Sequence, residues 1–291
     1  MEDAPTTSQS AVDSEKITKS ETNKQQRLIT GTIFSFTALF LLYLGPITFH
    51  ILEAPLSFLM FHELLTVFKA TKEERVLSIV LFVVHNIMLM INFNVTAESF
   101  PLLAFLVYGV YSLYSHDVIQ AMKLYFAAIW AIQTLSYSIG LIQVTGNTFS
   151  TIYIIFLACA NDSFQWVFGR AFGKHHPFPY LSPNKSLEGY LGGLFMLMVI
   201  GVLAQDNLIF VFLVFMTGNI GDLIASCLKR QLAVKDYGSI LPGMGGMLDR
   251  LDSVTLVVGV AYFWYRSFGF HPGFIMKCLL HYFYFTDDKC F

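Results

Sequence analysis

The chain has 291 residues, of which 55% are hydrophobic and 13% charged, with a mean hydropathy of +0.59. Soluble domains carry roughly 25% charged residues, so this composition excludes a water-soluble globular protein and defines an integral membrane protein. The net charge of −2 says little about partners because the few charges are unevenly placed, and no nucleic-acid partner is expected.

In chain order, Met1 to Gln26 is polar, lacks the apolar core of a secretory signal and is expected to form a disordered cytosolic tail. Residues 27 to 291 read as one membrane domain. An apolar segment runs from Arg27 to Leu44, and Gly45-Pro46 separates it from a less pure one, Ile47 to Phe61, that contains His50 and Glu53. Glu63 to Arg75 is charged and amphipathic, which predicts an interfacial stretch. Apolar spans then follow at Val76 to Asn94, Phe100 to Tyr114, Leu124 to Ile142, Phe149 to Val167, Tyr190 to Ala204, Leu208 to Leu228 and Val254 to Phe268. Several are shorter than the ~20 residues that cross a bilayer, so the helices are expected to extend into their flanks. Pro272 to Phe285 reads as interfacial. The predicted class is an all-α polytopic membrane protein of about nine transmembrane helices with polar loops on the cytosolic side.

Lys and Arg gather in the tail, at Lys69 to Arg75, near Lys123, from Arg170 to Lys185 and from Lys229 to Arg250. The turns at Val95 to Ser99, Thr145 to Asn147 and Gln205 to Asn207 have none. The positive-inside rule puts the charged set on the cytosolic side. Parity then requires Ile47 to Phe61 to cross, and the loops Arg170 to Lys185 and Lys229 to Asp252 come to one face. The cysteines, Cys159, Cys227, Cys278 and Cys290, show no metal-ligand spacing and are expected to be reduced thiols.

Against this background Gly218 to Ser253 stands out, because acids, bases and glycines gather inside an apolar chain. Asp222, Ser226 and Lys229 recur at helical spacing and share a helix face. Arg230, Lys235 and Asp236 follow, then Pro242-Gly243-Met244-Gly245-Gly246, then Asp249-Arg250-Leu251-Asp252. Upstream, Asn161-Asp162 lies late in an apolar helix, and Ser182 to Gly189 forms a Ser-Pro turn that presents Lys185. Carboxylates interleaved with Lys and Arg at helix ends describe a site for a polyphosphate carried with Mg2+, the acids holding the metal and the bases the remaining phosphate charge. The glycines permit backbone N–H groups to converge on an anion.

These residues resemble the phosphatidate cytidylyltransferase (CDP-diacylglycerol synthase) family. Ser226-Cys227-Leu228-Lys229-Arg230, Lys235-Asp236, Gly238, Leu241-Pro242, Gly245-Gly246 and Asp249-Arg250-Leu251-Asp252 fit the family signature in register. Asn161-Asp162, Phe168 to Lys174 and Ser182 to Gly189 are similar to its ND, FGR and SPKKTWEG elements, so the likeness covers Cys159 to Ser253. The CxND and FGR forms resemble the eukaryotic branch, which implies the endoplasmic reticulum membrane with the site facing the cytosol. Departures are Met244 for the family's His, Ser186 and Leu187 for Thr and Trp, and Gln165 where an aromatic residue often stands. Met can neither donate a hydrogen bond nor carry a proton.

The resemblance implies transfer of a cytidylyl group from CTP to phosphatidic acid, giving CDP-diacylglycerol and pyrophosphate. It implies Mg2+ as cofactor, as two divalent ions or one divalent plus one monovalent, and a homodimer in the lipid bilayer. Asp222, Asp249 and Asp252 are expected to hold metal, supported by Asp162. Lys185, Lys229, Arg230 and Lys235 are expected to neutralise phosphates, with Ser226, Asp236 and Arg250 at the reacting groups and Asn161, Ser182, Gly245 and Gly246 in the nucleotide site. A CTP-dependent transferase or kinase of another lipid (a polyprenol or ether lipid), and a non-catalytic scaffold, stay open on sequence alone.

Overall fold

The computed structural model describes residues 46–241 and 245–269. The expected tail, the segment Arg27 to Leu44, Met244, the stretch Pro272 to Phe285, Cys278 and Cys290 lie outside the described residues. Within them the protein is all helical. It comprises α1 (Pro46–Val67), α2 (Lys72–Ile91), α3 (Phe93–Ser115), α4 (Val118–Thr145, with a π-helical stretch at Ala128–Gln133), α5 (Thr148–Phe172), α6 (Leu187–Ala204), α7 (Leu208–Gln231) and α8 (Leu248–Phe268). The π stretch is a local widening of the helical ladder. Six of these, α2 to α7, are long and apolar enough to cross a membrane. This is a polytopic integral membrane protein.

The helices start where side chains supply the first hydrogen bonds. Thr71, Asn92, Asp117, Asn147, Ser186 and Asn207 each accept from a backbone N–H in the first turn of α2 to α7. As expected, most helices extend past the apolar cores read from sequence, because polar first and last turns are helical too. Two expectations are corrected. The α2–α3 connection is Asn92 alone, and the run Val95 to Ser99, which has no Lys or Arg, is already helical within α3, because the Asn92 side chain caps that helix. Glu63 to Arg75 is not one interfacial stretch: Glu63 is buried within α1, a turn at Lys69 (φ 56°) breaks the chain, and Thr71 and Glu74 form a capping box that opens α2.

The charged connections follow α1, α3, α5 and α7, and the short turns at Asn92, Gly146-Asn147 and Gln205 to Asn207 follow α2, α4 and α6. Helix α8 packs against α7, α5 and the second half of α4. Val254, Val257, Val258 and Ala261 meet Leu157, Val211 and Val214 in its core. A second core joins Met60, Phe61 and Leu64 of α1 to Phe100, Ala104, Leu124 and Leu248. Val76, Val80, Val83, Ile87 and Met90 form an exposed stripe on α2, the apolar surface a bilayer solvates.

Small residues bring the helices close at the charged end. A Cβ placed on Gly221 of α7 would stand 2.6 Å from the Asp252 carbonyl oxygen of α8, and one on Gly189 of α6 would stand 2.7 Å from the Gln165 carbonyl oxygen of α5. Gly221→Ala is therefore expected to separate α7 from α8 and destabilise the protein by about 1–3 kcal/mol, the cost of overpacking. Thermal melting of the detergent-purified variant checks this; an unchanged midpoint would contradict the crossing.

Candidate functional site

Three helices and two loops place the polar groups. In α5, Asp162 follows Asn161 just past the middle of the helix. The α5–α6 loop returns so that the Ser182 carbonyl accepts from Lys185 N–H at 3.2 Å and the His175 carbonyl accepts from Leu187 N–H at 2.8 Å. Glu188 accepts from the N–H groups of Lys174 and His175 and pairs with the His175 ring at 2.6 Å. Ser186 caps α6 by accepting from Gly189 N–H at 3.1 Å. Its hydroxyl supplies the same cap acceptor that a Thr would.

The loop delivers Lys185 into a ring of acceptors. Its Nζ lies 3.1 Å from Asp222 Oδ2, 3.2 Å from Asp162 Oδ1 and 3.2 Å from Gln165 Oε1, above the Tyr190 ring. Burial alone would lower the Lys185 ammonium, but the Asp162 and Asp222 carboxylates outweigh burial and hold it above its ordinary value of 10.5. Asp162 Oδ2 accepts from Ser253 Oγ at 3.1 Å, which ties α5 to α8. Gln165 also donates to Asn161 Oδ1 at 2.7 Å.

About two turns further along α7, Lys229 Nζ meets Asp249 Oδ1 at 2.8 Å, with side-chain exposures of 19% and 4%. Asp249 Oδ2 accepts from the N–H groups of Tyr237 and Gly246 at 2.9 and 3.0 Å. The Tyr237 hydroxyl donates to the Ala225 carbonyl at 2.8 Å, and its ring lies beneath Lys229. Asp252, buried and accepting from Ser253 N–H at 2.8 Å, is within electrostatic reach of Asp222, Asp162 and Lys229, so it joins the two groups into one site.

The structure thus brings together Asp162, Lys185, Asp222, Lys229, Asp249 and Asp252. Arg230, Lys235, Asp236 and Arg250 are exposed around it, Ser226 is half-buried on the same helix as Asp222, and Ser182 serves the turn that carries Lys185. Gly245 has a φ of 92°, which favours glycine, and a Cβ there would stand 3.3 Å from Asp236 Oδ1 and from Asp249 Oδ2. The glycine loop does converge its N–H groups on anions, but those are the protein's own: Gly246 N–H donates to Asp249, and Met247 and Leu248 N–H groups donate to Glu63. Sequence reasoning missed Glu63, Gln165, Tyr190, Tyr237 and Ser253. Only an acid inside an apolar run, Glu63, offered a signal.

In charge, four carboxylates of the packed site (Asp162, Asp222, Asp249 and Asp252) face two ammonium groups, Lys185 and Lys229. Such a site repels a polyphosphate unless a cation supplies the missing positive charge, and its all-oxygen acid set suits a hard ion such as Mg2+. With Lys185 between Asp162 and Asp222, no three acids among the described residues close on a single ion.

An all-helical fold with membrane-spanning helices that gathers acids and bases at their charged ends suits a membrane protein that handles charged molecules. The model of the cytidylyltransferase family matches residues 25–268, and the chain belongs to that family. The phosphatidate cytidylyltransferase of Bacillus subtilis (strain 168) is 29% identical over 259 residues, covering 82% of this chain and 96% of that protein. That of Staphylococcus haemolyticus (strain JCSC1435) is 38% identical over 117 residues, 37% of this chain and 45% of that protein. The uncharacterized protein YnbB of Escherichia coli (strain K12) is 31% identical over 133 residues, 43% of this chain and 45% of that protein.

Proposed function

We propose that this protein is a phosphatidate cytidylyltransferase, joining CTP and phosphatidic acid to give CDP-diacylglycerol and pyrophosphate. The observation that carries the reading is the mixed-sign site, in which Lys185 bridges Asp162 and Asp222 while Lys229 pairs with Asp249 beside Asp252. It sits in a chain that the cytidylyltransferase family model matches over residues 25–268 and whose sequence aligns with 96% of the Bacillus enzyme.

A phosphatidate oxygen is ionised at neutral pH, so its attack on the α-phosphorus needs no strong base. One P–O bond forms to that oxygen, the bond to the bridging oxygen breaks, and pyrophosphate leaves with the electron pair. What the residues must supply is alignment and relief of repulsion between two anions. Lys185 and Lys229 provide positive charge inside the site, and Arg230 and Lys235 provide it at the rim. Asp222, Asp249 and Asp252, with Asp162, would hold Mg2+, which when bound neutralises phosphate charge and orients the leaving group. The positive-inside pattern supports a cytosolic site. The eukaryotic-like CxND and FGR elements support the endoplasmic reticulum, while the relatives above are bacterial.

The test incubates purified protein with labelled CTP, Mg2+ and a panel of lipids. Labelled CDP-diacylglycerol should form from phosphatidic acid and disappear with chelator. Labelling of a polyprenol or ether lipid instead would reassign the acceptor, and CTP binding without turnover would favour a scaffold.

A further inference from the structure

We infer that Glu63 is a positioning residue for the transfer: from α1 it holds the start of α8 and both sides of the glycine loop, keeping Asp249 and Asp252 opposite Lys229 and Asp222. The inference rests on the reading of this site as the cytidylyl-transfer centre.

Helix α8 differs from α2 to α7, because Met247 at its N-cap makes no side-chain cap. Its first N–H groups are instead served by a residue some 180 positions earlier in the chain. Glu63 Oε1 accepts from Met247 N–H at 2.8 Å and Oε2 from Leu248 N–H at 2.9 Å. Glu63 is 2% exposed, so water cannot replace it at those donors. Its negative charge also complements the positive end of the helix dipole.

The same carboxylate sets the loop. A Cβ on Gly238 would stand 2.5 Å from Glu63 Oε1, and one on Gly246 would stand 2.7 Å from Oε2 and 2.8 Å from Gly238 N. Both loop strands therefore close on Glu63 without side chains between. Asp249 takes the neighbouring N–H groups of Gly246 and Tyr237, so the two carboxylates divide the loop's donors between them. The first turns of α8 carry both Asp249 and Asp252, and a shift of that helix end moves both acids together. Misplacement of about 1 Å costs up to a hundredfold in rate.

The test compares full-length Glu63→Gln, Glu63→Asp and Gly238→Ala with wild type, measuring kcat, KM for CTP and amide hydrogen exchange at residues 246–249. A Gln keeps one acceptor and turns a donor on the other N–H. Exchange at Met247 and Leu248 should rise at least ~tenfold and kcat fall about ten- to a hundredfold, with KM for CTP within about threefold; Glu63→Asp should fall between. Gly238→Ala, which crowds the carboxylate, should lower kcat in the same way and decides the matter if Glu63→Gln does not fold. A folded Glu63→Gln with wild-type exchange or kcat, or a rate loss that only follows the folded fraction, overturns the inference. If wild type makes no CDP-diacylglycerol, the transfer reading itself is overturned.

Discussion

Asp249→Asn is expected to lower CDP-diacylglycerol formation by about a hundred- to a thousandfold, the range for removing one aligned electrostatic group. Every acceptor position of this carboxylate that faces the protein is in use. Oδ1 holds Lys229, and Oδ2 holds the Tyr237 and Gly246 N–H groups. An amide offers one acceptor oxygen, so its NH2 group must face either the ammonium or the two N–H donors. Lys229 then loses its ion-pair partner, with Asp252 the carboxylate left within electrostatic reach, although it is only 19% exposed. Breaking a buried pair this way costs about 3–5 kcal/mol, with this pair at the lower end because Lys229 keeps some solvent and the Tyr237 ring. Turnover at saturating CTP and Mg2+, measured beside thermal melting, separates the two effects. Wild-type turnover in a folded Asp249→Asn protein would remove Asp249 from the site.

Lys185→Met is the second large effect, and its cause is opposite in sign. The substitution leaves Asp162 and Asp222 facing each other without the cation that joins them, and Gln165 loses a donor. If Lys185 also meets the triphosphate, its loss should raise KM for CTP as well as lower kcat, together about a hundredfold or more in kcat/KM. Lys185→Arg should not restore this, because a planar fork cannot take the place of a point charge held by three separate acceptors. The pH dependence has a definite sign. The folded-state value of Lys185 is raised, so its stabilising contribution is complete below its ordinary value and is lost only as pH climbs through the raised one. Melting curves between about pH 6 and 9 should therefore show no loss from this group in the wild-type chain. A transition there that vanishes in Lys185→Met would contradict the arrangement.

Much of the architecture was legible because membrane helices follow from local composition. The apolar runs located α2 to α7, and the turns without Lys or Arg at Thr145 to Asn147 and Gln205 to Asn207 fell where Gly146 and Asn207 turn the chain. The spacing Asp222, Ser226, Lys229 put these residues on one helix, and the distribution of Lys and Arg brought Asp162 and Lys185 to the same end. Helix ends were less legible. Polar first turns such as Lys72 to Arg75 read as loop by hydropathy, yet the Thr71 and Glu74 capping box makes them helix.

What the sequence by itself determined is the helical membrane class, the polar end of the bundle and the acids and bases gathered there, because hydrophobic runs and helical periodicity are properties of neighbours in the chain. Which acid meets which base was decided only by the tertiary structure. Lys185 lies 23 residues from Asp162, Ser253 lies 91 from it, and Glu63 lies 184 from Met247. Local pattern carries no information about such pairings. They arise because buried N–H and ammonium groups must find acceptors, and close packing at Gly189 and Gly221 brings only certain acceptors within reach.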